Sequence, residues 1–155
     1  MKLIKRILIM ITASAMLISC GSKKSDTVNK SESKEVKEAE ENAAESAEKW
    51  LELLDEKKYV ESWGEAAEIF KKAAPEENWI KMLNAFRDPL GKLETRELKK
   101  TRYSKTMPGA PDGDYMELKY LSSFENKKEG IETVILMKDK NDKPEKWRVS
   151  GYFIK

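Results

Sequence analysis

The hydrophobic pattern changes character three times along the chain. An apolar run from Ile7 to Ile18, broken by Thr12 and Ser14, gives way at Gly21 to almost purely polar residues. Val28 and Val36 are the only aliphatic residues before Glu38, too few to bury a core, so this stretch predicts a flexible segment. Beyond it Ala43, Ala47, Trp50, Leu51 and Leu54 fall on one stripe of a helix, and Glu45 stands four residues before Lys49 in the favourable order. A second stripe runs Val60, Trp63, Ala67, Phe70, Ala74. Pro75 then suits the start of a third helix, with Glu76 and Glu77 at its positive end and Trp79, Met82, Leu83 and Phe86 on its apolar side. Asp88-Pro89 stops it, since a residue before proline avoids the helical region.

After Gly91 the period becomes two. "LETRELKKTRY" reads as a long polar strand, and "YMELKYLSSF" as a strand with Met116, Leu118, Tyr120 and Phe124 on one face. "IETVILMKD" and "KWRVSGYFIK" give two more. Between the first two strands, "MPGAPDGD" is dense in turn formers, with Gly113 placed for a positive φ. Gly151, inside a good strand, points to a bulge or bend. The expected fold is α+β, with three N-terminal helices packed on a curved four-stranded antiparallel sheet. The expected organisation is a signal segment over 1–19, a tether over 20–38 with a reach of about 25 Å as coil, and one domain over 39–155.

Lys2, Lys5 and Arg6 precede the apolar run, the layout of a secretory signal peptide, and the run is too short to span a membrane. The only cysteine follows it directly. Leu17-Ile18-Ser19-Cys20 resembles the bacterial lipobox, which implies lipid attachment to the Cys20 sulfur and cleavage before it. Two or three acyl chains, at about 0.8 kcal/mol per buried methylene, anchor a protein stably. Gly21 in place of Asp implies the periplasmic side of the outer membrane under the sorting rule of enteric bacteria.

Charge narrows the partners. The chain carries 30 basic and 28 acidic residues, and loss of 1–19 leaves 27 against 28. No global basic field attracts nucleic acid, so none is expected as a partner. The chain has no histidine, which removes the commonest general base and most zinc sites. No cofactor and no metal are expected.

Five phrases carry a family resemblance: "LLDEKKYVESW", "NWIKMLNAFRDPLGKLETREL", "MPGAPDGDYMELKYLSSFENK", "ETVILMKDK" and "KWRVSGYFI". Together they resemble the bacterial domain of unknown function 4019, over about Ala43 to Lys155. The resemblance implies an exported protein and brings no catalytic residues with it. The order of helices and sheet also resembles the cone-shaped fold of nuclear transport factor 2, ketosteroid isomerase and cystatin-like domains, a likeness of fold alone.

Among candidate site residues, Trp50, Trp63, Trp79 and Trp147 are expected in the core. Arg96 lies on a strand polar on both faces, and its planar fork suits carboxylate or phosphate. With Tyr120, Glu132 and Tyr152 it is expected to line a polar pocket for a small ligand or an envelope protein; intramolecular salt bridges account for the same residues. Catalysis in a cone would need a desolvated carboxylate, and Asp112, Asp114, Glu117 and Glu132 offer no distinctive pair. The expected function is therefore binding, not catalysis, on a membrane anchor at Cys20; the alternative is an isomerase or dehydratase using the pocket. Metabolic labelling with a palmitate analogue tests the anchor. The wild type is expected to label and Cys20→Ala to stay dark; equal labelling contradicts lipidation.

Overall fold

The computed structural model describes residues 24–155. Cys20 and the apolar run before it lie outside these residues. Helix α1 runs Lys24–Asp55, followed by α2 Tyr59–Glu65, α3 Glu68–Ala73, α4 Glu76–Phe86 and a 3-10 turn Asp88–Leu90. The strands are β1 Leu93–Ser104, β2 Tyr115–Phe124, β3 Lys127–Asp139 and β4 Lys146–Ile154, in the order β1-β2-β3-β4 with every pair antiparallel. The α+β class and the four-stranded sheet agree with the sequence pattern.

Two expectations about helices need correction. The segment 24–38, expected as flexible tether, is part of α1. Lysine and glutamate are good helix formers, and charges four apart add to this, as with Lys37 and Glu41 at 4.0 Å. The second stripe forms two short helices, not one. Ala66 and Ala67 are extended, with ψ of 161° and 151°, and the Ala67 N–H donates to the Val149 carbonyl at 2.8 Å. That bond to the sheet overrides the helical period. Within α2, Val60 is exposed while Tyr59 and Ser62 are buried.

The first stripe is buried throughout, from Ala43 to Leu54. It packs on the inner sheet face, which carries Met116, Leu118, Tyr120 and Phe124 of β2, Val134 and Leu136 of β3, and Val149 of β4. Trp50, Trp79 and Trp147 are buried as expected, and Trp63 is half-buried. Trp50 and Trp79 pack at 5.8 Å and both reach Ser62: Trp50 donates to its carbonyl at 2.7 Å, Trp79 to its hydroxyl at 3.0 Å. Phe86 breaks the third stripe; it is the last residue of α4 and is exposed.

Two glycine expectations separate. In the β1–β2 connection the positive φ belongs to Gly109, at 77°, and Gly113 is not in that region. Near Gly151 the bulge is present: Ile135 pairs with Gly151 and Leu136 with Val149, which leaves Ser150 as the extra residue. The bulge shifts the alternation of β4, so Trp147 and Val149 point inward before it and Tyr152 after it. A regular strand would have turned Phe153 inward and Tyr152 out.

Candidate functional site

Glu132 is the only acidic side chain among the fully buried residues described. Its position follows from the period of two, which puts it on the inner face with Val134 and Leu136. A carboxylate has about four acceptor sites, and Glu132 fills four. Arg96 donates from Nε to Oε2 at 2.7 Å and from Nη2 to Oε1 at 3.3 Å. The Ser122 hydroxyl donates to Oε2 at 2.5 Å, and the Tyr152 hydroxyl to Oε1 at 2.7 Å.

Arg96 carries the network onward to Asp55, the last residue of α1. Nη1 and Nη2 donate to the two carboxylate oxygens at 2.7 and 3.0 Å. Asp55 also accepts from Arg87, which follows α4, is buried, and lies 4.3 Å over the Phe124 ring. Six side chains thus tie two helices to all four strands.

Electrostatics follow the geometry. Burial alone would raise the Glu132 carboxyl, but the Arg96 guanidinium, Ser122 and Tyr152 together hold it below the usual carboxylate range. Burial likewise opposes the charge on Arg96, and hydrogen bonds from it to Asp55 and Glu132 outweigh that and strengthen it. Burial pushes the Tyr152 and Tyr120 hydroxyls up. A carboxylate with depressed proton affinity and no free lone pair is poorly suited to take a proton from a substrate.

The structure therefore brings together three of the four residues expected to form a pocket. Arg96, Glu132 and Tyr152 meet, but they bond to one another. Tyr120 shares their face, and its buried hydroxyl has no hydrogen-bond partner among the described residues. Of the other carboxylates, Glu117 is on the opposite face, paired with Arg102 at 2.7 Å, and Asp114 accepts from Tyr103 and Lys105. Asp55, Arg87 and Ser122 were missed, although the pattern holds them. Ser122 continues the inward series of Met116, Leu118 and Tyr120, Arg87 extends Trp79 and Leu83 by one turn, and Asp55 adjoins Leu54.

An opening lies elsewhere. A groove of about 990 Å³ separates α1 from the β3–β4 hairpin, and none of Arg96, Tyr120, Glu132 or Tyr152 lines it. One wall is α1, including Glu38, Asn42 and Ser46; the other includes Lys138, Lys146 and Trp147. Among the described residues no group of three or more His, Cys, Asp or Glu is placed to hold a metal ion.

A family model described as "Protein of unknown function (DUF4019)" matches residues 46–152, which include the whole buried network. The chain belongs to this family. Comparison with curated proteins and with solved structures finds no match. The DUF4019 match begins within α1, so Glu38 and Asn42 of the groove precede it.

Depressed proton affinity fixes the sign of the acid response. Ionised Glu132 favours the folded state, so its contribution is complete above the ordinary carboxylate value and is lost as pH falls through the lower folded value. Tyr152→Phe removes one hydrogen bond to the charged form. It is expected to cost about 1.5–3 kcal/mol at pH 7, and to lose less stability on acidification than the wild type, with that loss complete at higher pH. Urea unfolding from pH 7 to pH 2 checks this; identical acid limbs contradict it.

Proposed function

We propose that this DUF4019 protein is a lipid-anchored envelope protein whose folded part is a non-catalytic binding domain, with the groove beside α1 as its binding face. The observation that carries the reading is the division of labour among polar groups. Arg96, Glu132 and Tyr152, the residues best suited to a ligand by type, are spent on one another under the core. The groove instead presents polar and charged side chains to solvent over an apolar floor that includes Trp50 and Leu53. A site of this volume and mixed lining falls in the range of ligand pockets.

The anchor belongs to the proposal on the strength of the signal-like segment and the lipobox-like Leu17 to Cys20. Among the described residues no helix is long and apolar enough to cross a membrane. Attachment through acyl chains at Cys20, on the periplasmic side of the outer membrane, is the proposed mode. From Lys24 to Glu35, the first groove residue of α1, the helical rise of 1.5 Å per residue gives about 17 Å of spacer, which would hold the groove clear of the lipid head groups.

Photo-crosslinking in cells tests the binding face. A benzoylphenylalanine at Asn42, in the groove, is expected to give a discrete adduct. The same probe at Phe153, exposed on the outer sheet face, is expected to give none. Adducts from Phe153 alone, or from neither position, contradict the proposal.

A further inference from the structure

We propose that the groove takes an extended polypeptide segment, which adds as a short strand to the free edge of β4 at Trp147. This rests on the reading of the groove as the binding face and names the class of ligand.

Two hydrogen bonds fix which way the β4 backbone points. The Lys138 N–H donates to the Asp114 carbonyl at 2.9 Å, toward the β2 side of β3. Lys138 pairs with Trp147, so this is a pair whose backbone groups face away from each other. The N–H and C=O of Trp147 therefore point off the open edge. Val149, two residues on, points the same way, and its carbonyl accepts from Ala67 at 2.8 Å. This edge thus already receives extended backbone from within the chain, at Ala66 and Ala67. Past that point the neighbouring segment is α2, which ends at Glu65, and the edge at Trp147 borders the groove.

The Trp147 side chain adds a second, independent observation. The residue is 8 % exposed and lines the groove, and its indole N–H has no hydrogen-bond partner among the described residues. Trp50, Trp63 and Trp79 all have theirs. An unpartnered donor beside an unpaired strand edge suits a ligand rich in carbonyl groups, which extended backbone supplies.

Charge on the two walls argues for peptide over an uncharged ligand. Glu38 on α1 and Lys146 on the hairpin line the groove; neither is in a close ion pair among the described residues, and the Lys146 charge is felt by Asp142. Lys49, Lys138 and Arg148 are engaged by Glu45, Glu145 and Glu65. A strand on the β4 edge sends adjacent side chains to opposite faces. A basic residue followed by an acidic one would meet Glu38 and Lys146 in turn.

Amide hydrogen exchange on the full chain is the test, with a blocked peptide of about seven residues, Thr and Val flanking a central Lys-Glu, as the probe. In the free protein the Trp147 amide is expected to exchange at least about tenfold faster than that of Arg148, which faces β3. The peptide is expected to protect the Trp147 amide and its indole N–H. Methylation of every second peptide nitrogen should abolish protection in one phase and spare it in the other. Trp147→Phe, which keeps a ring, should weaken binding about 2- to 10-fold. Slow exchange of Trp147 in the free protein, equal binding of both methylated forms, or no protection at millimolar peptide each overturn strand addition. If Asn42 crosslinks while Trp147 stays unprotected, the groove reading survives and the strand reading falls; if neither occurs, both fall.

Discussion

A carboxylate with no exposed surface has to be compensated, and Glu132 sets that requirement at the centre of this fold. Burying the charge costs several kcal/mol unless its partners are held in good geometry. The partners come from everywhere: Arg96 on β1, Ser122 on β2, Tyr152 on β4, and through Arg96 the end of α1 and the residue after α4. None of these groups can move far without stranding a charge. The network need not add net stability over an apolar core. It fixes one register and one seating of α1, because a slipped strand or shifted helix would leave Glu132 or Asp55 unpaired.

This constraint divides the domain into a fixed end and an open end. Along β3 the step from Glu132 to Lys138 is about 20 Å at the usual rise per residue. At the Glu132 end side chains saturate one another. At the Lys138 end α1 and the hairpin leave a groove bordered by the β4 edge and the Trp147 indole, whose N–H has no partner among the described residues. The DUF4019 match covers the network and the hairpin wall but not Glu38 or Asn42, so the two walls of the groove differ in what the family model describes.

Much of this was legible in the residues. Period-two alternation placed β1, β2 and β4 closely but began β3 at Ile131, four residues after its start at Lys127, and the buried stripe of α1 matched residue for residue from Ala43 to Leu54. Gly151 marked the bulge that turns Tyr152 inward. Arg96, Tyr120, Glu132 and Tyr152 were recognisable as a polar set on the sheet, although Tyr152 faces inward only because of that bulge. The mutual satisfaction of Arg96, Glu132 and Tyr152 was not, because a sequence shows which groups share a face and not whether Asp55 reaches them from a helix forty-one positions away. The break at Ala66 and Ala67 was hidden for the same reason: a single bond to Val149 outweighs a good helical stripe. Segment 24–38 misled through composition, since a polar, charged run reads equally as tether or as solvated helix.

The central claim is that Arg96 and Glu132 are coupled partners under the core, and a double-mutant cycle measures that coupling directly. Urea unfolding at pH 7 would compare the wild type, Arg96→Ala, Glu132→Gln and the double variant. Arg96→Ala, which strands a buried carboxylate, is expected to cost about 3–5 kcal/mol. The double variant is expected to fall short of the summed single losses by at least about 1 kcal/mol. Single losses that add to within about 0.5 kcal/mol would contradict the coupling and the account built on it.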